Sequence, residues 1–282
     1  MASLGRFIPV LWRSGRTVIP VVRLSGPIGG VGVGLRQTLS LASVETALAR
    51  AFALKAAPAV AIVVNSPGGA AAQSHLIFKR LRALAEEKGK QIIVAVEDVA
   101  ASGGYMIALA GDEIVVDASS IVGSIGVVSA GFGFPRLLER MGVERRVHTA
   151  GKSKAMLDPF RPEQEEDVAR LRAIQDDVHA AFIELVRSRR GSALADDPDL
   201  FTGAFWSGRQ AVALGLADRV GDLRSRLRER YGDTVRTRAI PTERGVWRRR
   251  LGLSGADRAA AGIVDRVIAD LEERSMWGRY GL

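Results

Sequence analysis

An α/β fold built on a parallel sheet is what this sequence predicts, and three observations predict it. Residues 59–64 (AVAIVV) and 92–96 are continuous apolar runs, the pattern of strands covered on both faces. Segments with apolar residues at helical spacing lie between and beyond those runs. The links are short, and right-handed crossovers then return each strand parallel to the last.

The elements follow in order. Residues 17–24 (TVIPVVRL) are β-rich and closed by Ser25-Gly26-Pro27, which makes them a first strand. Val44, Ala47, Leu48, Ala51 and Leu54 give residues 43–55 one apolar helical face. The second strand, 59–64, halts at Asn65-Ser66-Pro67-Gly68-Gly69. A helix over 72–88 ends at Gly89, which suits the position just past a helix C-terminus. Strand 92–96 follows, then a helix opened by Ala101 or Ser102 and running to Ala110, then strand 113–116.

Farther on, 135–141 reads as a short helix and 144–149 as a strand. Pro162 begins a long helix with Glu163, Glu165 and Glu166 at its start and Arg187, Arg189 and Arg190 at its end, as the helix dipole favours. Residues 207–214 form another short helix closed by Gly215. From 232 the character changes: 242–255 is basic and glycine-rich, and 256–274 has amphipathic helical spacing. The expected organisation is an N-terminal segment 1–16, an α/β domain 17–231 and a helical tail 232–282.

Composition narrows the function classes. The 282 residues include no cysteine, which excludes a disulfide framework, a cysteine nucleophile and a thiolate metal site. Forty Lys+Arg against 31 Asp+Glu give +9, but the excess is scattered in separate pieces, as on a solvated basic surface. Nucleic acid is not an expected partner; peripheral contact with an anionic membrane is the alternative use of that charge. The apolar patch 7–12 is interrupted by Pro9 and followed by Arg13 and Arg16, too short for a spanning helix. A soluble or peripheral protein of the cytoplasm is expected.

Two glycine-rich turns carry the candidate chemistry. Gly68 and Gly69 stand at the carboxyl end of a buried strand, where bare backbone N–H groups can face a ligand as an oxyanion hole or anion nest. A tight βα turn alone would use the same residues. Ser102 opens the second turn, Ala101-Ser102-Gly103-Gly104-Tyr105, at a helix N-terminus. There a serine is ordinarily a cap, yet its small neighbours leave room for a carbonyl beside Oγ. Open α/β sheets place ligands at this end of their strands.

A nucleophilic serine needs a base. His75 and His179 fall inside amphipathic helices, and only His148, near Gly151, is a serious histidine candidate. Lys152 and Lys154, in the turn Gly151-Lys152-Ser153-Lys154-Ala155, are the other option. A lysine acts as base only when desolvation lowers its pKa, and Met156, Leu157 and Phe160 offer apolar surroundings.

Together these pieces resemble the signal peptide peptidase A family. Residues 65–69, 101–105, 122–127 (VGSIGV) and 151–154 occur in that family's order and spacing, within a similarity running from Val18 to Gly221. It extends to Ser207-Gly208-Arg209-Gln210-Ala211 and Gly215-Leu216-Ala217-Asp218. The resemblance implies a Clp-protease/crotonase-like fold of repeated ββα units with a helical C-terminal extension, and a serine endopeptidase using a Ser–Lys dyad. It makes Ser102 the nucleophile and Lys154, the second lysine of its turn, the general base. Ser124 becomes the serine that helps hold that lysine, and Gly69 or Gly68 with Gly103 the oxyanion donors.

The implied substrates are extended peptides with small or apolar side chains near the cut, such as remnant signal peptides. No metal or organic cofactor is implied. A homo-oligomer is, because in short family members complete sites generally depend on a ring of subunits. The usual N-terminal membrane anchor is not evident. Two rivals stay in view: a crotonase-like acyl-CoA enzyme, which would ordinarily use a carboxylate, and a non-catalytic membrane-associated scaffold. A Clp-type Ser–His–Asp protease is disfavoured, since no histidine follows Ser102 at the spacing that resemblance requires.

Overall fold

The computed structural model describes residues 16–29, 38–242 and 274–282. Strands β1 (Val18–Ser25), β2 (Ala59–Ser66) and β3 (Gln91–Ala101) lie parallel at the centre of the sheet. Helix α1 (Leu41–Phe52) and helix α2 (Ala71–Lys88) make the crossovers between them. Ser40 and Ser43 cap α1 reciprocally, and Gly89 closes α2 in the left-handed conformation (φ 57°) that its missing Cβ permits.

β3 is longer than its sequence signal because it serves two neighbours in succession. Its first half pairs with β4 (Glu113–Val116) and its second half with β5 (Ile121–Gly123), both parallel. Helix α3 (Gly103–Ala108) connects β3 to β4. β6 (Phe205–Ser207) closes the β5 edge in antiparallel pairing, β7 (Arg219–Val220) pairs with β4, and β8 (Arg236–Ala239) pairs with β1.

Alternation along the strands divides the core. Val22, Leu24, Ile62, Val64, Val94 and Val96 face α1, α2 and α3 in the main cluster. Ile19, Ala61, Ile93 and Val115 face the opposite side, where Leu227 of helix α7 (Leu223–Tyr231) covers them. A third cluster, Val99, Ala101 and Ile121, lies beside the site and is covered by Trp277 and Tyr280.

Between β5 and β6 the chain runs outward through helix α4 (Pro135–Arg140) and returns along helix α5 (Glu165–Arg190), which Gly191 ends. Helix α6 (Gly208–Ala213) follows β6, with Ser207 and Gln210 forming its capping box. One expected element is absent: residues 144–149 carry no strand. Val143, Glu144, Arg145 and Arg146 are exposed, so no sheet edge covers them and their β propensity has nothing to pair with. The long helix begins at Glu165 rather than Pro162, with Glu165, Glu166 and Asp167 in its first turn. Most of the expected helix 256–274, and the N-terminal patch 7–12, lie outside the described residues.

Candidate active site

Ser102 sits between the end of β3 and the start of α3 with φ 51° and ψ −120°. That is a conformation L-residues avoid, and it costs of order 1–3 kcal/mol where the surroundings enforce it. Its N–H donates to the Gly123 carbonyl (2.8 Å), and its carbonyl accepts from Met106 N–H (3.0 Å). Both backbone groups are therefore tied down while the side chain is half-buried and makes no capping hydrogen bond. The cap explanation for a serine here does not hold: the helix gains nothing from its hydroxyl.

The facing turn is built so closely against Ser102 that only glycine fits. Gly68 has φ 104°, and a Cβ there would lie 2.9 Å from both the Ala101 carbonyl oxygen and the Ser102 Cβ. Gly69 has φ 139°, and its Cβ would fall 1.8 Å from the Ile28 carbonyl oxygen. Ile28 stitches this turn down by donating its N–H to Gly68 (2.8 Å) and accepting from Ala70 (2.7 Å). Gly103 lies against the buried Ser74, whose Oγ would be 2.3 Å from an added Cβ.

The N–H groups of the two glycines differ. Gly68, which is buried, donates to the Ser66 hydroxyl at 3.2 Å. Gly69 is exposed, and neither its N–H nor that of Gly103 has an acceptor among the described residues.

Ser124 follows Gly123 as Ser102 follows Ala101, and Ala101 and Gly123 are register partners across β3 and β5. The two serines therefore leave adjacent strand ends, and Ser124 also has positive φ (55°). The start of β6 and the residue before it pin this turn: Ser124 N–H donates to the Ala204 carbonyl (2.7 Å), and the Trp206 ring packs where a Gly123 side chain would be. Ser124 itself is buried.

Lys154 is placed differently. It lies exposed in the turn after Gly151, as does Lys152, while Met156 and Leu157 are half-buried and Phe160 is exposed beneath Arg145. Neither the Ser102 hydroxyl nor the Lys154 ammonium makes a hydrogen bond among the described residues. A groove of about 1260 Å³ is lined by residues of the 129–171 region, Lys152 and Met156 included, but not by Ser102. The chain thus gathers Ser102, Ser124, Gly68, Gly69 and Gly103, and leaves Lys154 in solvent. Of the histidines, His75 and His148 are exposed, and His179 lies 3.1 Å from the Ile125 carbonyl oxygen beside the Ser124 turn. Partial desolvation and then the neighbouring Lys79 lower the pKa of His75.

Supporting residues emerge that sequence reading passed over. β3 carries two extra residues against β2, since Val64 pairs with Val96 but Ser66 with Ala100. Asn65 clamps this bulge, accepting from Val99 N–H (3.2 Å) and donating to Asp98 (2.6 Å). Tyr105, fully buried, donates to Leu216 (2.8 Å), and Arg190 bridges the Gly215 carbonyl and Asp218. Burial raises the Tyr105 pKa well above its ordinary value. The late Gly215–Asp218 phrase is thereby a floor beneath α3. Tyr280 places its hydroxyl 3.4 Å from Ser124 Oγ and 3.5 Å from the Pro67 carbonyl oxygen. Asn65 stood inside a recognised motif; nothing in the sequence flagged Tyr280.

Comparison with known proteins places the chain among relatives. The chain is 56% identical over 286 aligned residues to a protein of Brucella abortus named Na(+)/H(+) antiporter NhaA, covering 99% of this chain and 39% of that protein. That name belongs to a much longer protein, and no helix among the described residues here is long and apolar enough to cross a membrane. The chain is 30% identical over 213 residues to the chloroplastic serine protease SPPA of Arabidopsis thaliana, covering 74% of this chain and 31% of that protein. It therefore spans less than two-fifths of either relative. A solved structure, a mutant of the membrane-bound stomatin-specific protease 1510-N, superposes with a TM-score of 0.50 at 15% identity. That match covers 80% of this chain and 99% of the other, a likeness of fold, here the Clp-protease/crotonase-like one. The model of peptidase family S49 matches residues 84–230, just over half of the sequence, and the chain belongs to that family of signal peptide peptidase A-like serine proteases.

Proposed function

We propose that this chain is a serine endopeptidase in which Ser102 is the nucleophile and Lys154 of a second copy is the general base. The observation that carries the proposal is the strained Ser102, whose hydroxyl caps nothing while Gly68 abuts it. Neutral Lys154 takes the Oγ proton as the oxygen attacks a peptide carbonyl. The oxyanion forms between the N–H groups of Gly69 and Gly103, the two that are free to donate. Gly68, engaged by Ser66, contributes close approach instead. The protonated lysine gives its proton to the leaving amine, and water then cleaves the acyl-enzyme by the reverse relay.

A second copy is invoked because a solvated lysine is protonated at neutral pH and a base must be desolvated. Lys154 is exposed, and the surrounding region exposes Val128, Phe132, Leu137, Met141 and Phe160. Burial of that surface against a second copy would supply the apolar environment, and Ser124 would hold the ammonium there. Substrates of this reading are extended peptides, remnant signal peptides among them, cut beside small or apolar side chains.

Fluorophosphonate labelling tests the proposal. Ser102→Ala and Lys154→Ala should each lose labelling, Lys152→Ala should keep it, and mixing the two inactive proteins should restore a part of it. Wild-type labelling of Lys154→Ala would remove the lysine. Loss with Lys152→Ala alone would move the base by two residues, and failed restoration would place the dyad within one chain.

A further inference from the structure

Residues 274–282 are far from Ser124 in sequence but lie against it in space. They begin with a helical turn, 274–278, and Trp277 and Tyr280 then cover Val99, Ala101 and Ile121, residues of the two strands that lead directly into Ser102 and Ser124. The Tyr280 ring stands edge-on to Phe205 (centroids 5.1 Å apart) and the residue is 8% exposed. Its hydroxyl reaches the Ser124 Oγ and the Pro67 carbonyl oxygen, which belongs to the oxyanion turn. Ser124 is itself 6% exposed, and the Tyr280 hydroxyl is the hydrogen-bond partner its Oγ has among the described residues.

We infer that the 274–282 segment is a built-in competitor for the base: Tyr280 occupies the Ser124 hydroxyl and must leave before a lysine ammonium can be held there. This rests on the reading of Ser102, Lys154 and Ser124 given above. The two occupants need the same few ångströms. A phenol buried against Phe205, Val99 and Ala101 excludes both the ammonium and the chain that carries it. The contact is nevertheless modest, two long hydrogen bonds and two aromatic side chains, so it can be displaced when a second copy brings its own apolar surface. Ser102 and its donors are untouched by the segment, which withholds the base without dismantling the rest of the site.

The test is the rate at which a fluorophosphonate labels Ser102, with Ser102→Ala as blank. Tyr280→Ala and Trp277→Ala should label about tenfold faster than wild type, as expected when a bound competitor is lost. Tyr280→Phe, which keeps the ring and loses the hydroxyl, should fall between. A fluorescent peptide spanning residues 274–282 should bind Tyr280→Ala protein by anisotropy and slow its labelling, while the same peptide with Tyr280 replaced by alanine should not. Labelling of Tyr280→Ala at or below the wild-type rate, with Ser102-dependent labelling intact in wild type, would overturn the competitor and leave the catalytic reading standing. Failure of the peptide to bind would overturn it without reference to activity. Ser102 unlabelled in every variant would instead remove the catalytic reading, and the competitor with it.

Discussion

Ser102 is held where a side chain is strained, by a β-register bond on one side and a helix on the other. Relief of that strain should be measurable. Ser102→Gly is expected to raise stability by about 1 kcal/mol, the strain of about 1–3 kcal/mol less the extra chain entropy of glycine. Thermal or urea denaturation would show it, and labelling would be lost at the same time. A serine serving only as a helix cap would give the opposite sign. The residue types of this site were legible in the sequence because the two glycine turns, Ser124 and the lysine turn fell together in one family-like order, not because a glycine pair alone is specific. Which glycine N–H is free was not legible: Gly68 is buried with Ser66 folded back onto its N–H, while Gly69 is exposed.

At the scale of elements, the sequence read well wherever an element's own side chains decide its state. Strand β2 and helix α2 were placed within two residues at each end, because AVAIVV can only be buried and Gly89 can only stop a helix. Residues 144–149 failed for the converse reason, since a strand exists only beside a partner. Strands β5 and β6, three residues each, are equally the product of their neighbours. Helix α7 offers a test of local control. Asp222 caps it through Ser225 N–H (2.9 Å), and hydrogen bonding to Ser225 holds the carboxyl below its ordinary value. A depressed carboxylate stabilises above its unfolded pKa, so this contribution is full above about pH 4 and disappears as pH falls through the lower folded value. Asp222→Ala should cost about 1 kcal/mol at neutral pH. The gap to wild type should narrow in acid, as urea titrations at stepped pH would show; an unchanging gap would deny the cap its charge.

At the scale of the molecule, the described chain divides into a buried sheet core and an outlying region that buries little. Phe132 is 83% exposed and Met141 65%, with Leu137 and Val128 nearby in sequence. Because Phe132 and Met141 are both largely exposed, Phe132→Ser with Met141→Ser should leave unfolding of the chain nearly unchanged. The same pair should lower the mass seen by light scattering and reduce Ser102 labelling in parallel. Reduced mass with full labelling would separate assembly from catalysis and return the base to a single chain.

The sequence by itself determined the fold class, the strand–helix order as far as β4, and the two glycine turns with Ser102 in the second. Each of these follows from local chemistry: burial of unbroken apolar runs, glycine's access to positive φ, and helix termination. Tertiary structure decided the rest. It took register pairing to bring Ser124 beside Ser102, a bulge clamped by Asn65 to extend β3 to the site, and folding to bring Tyr280 over Ser124. It also left Lys154 in solvent. These depend on which surfaces meet, and contacts between residues distant in the chain leave no periodicity in it.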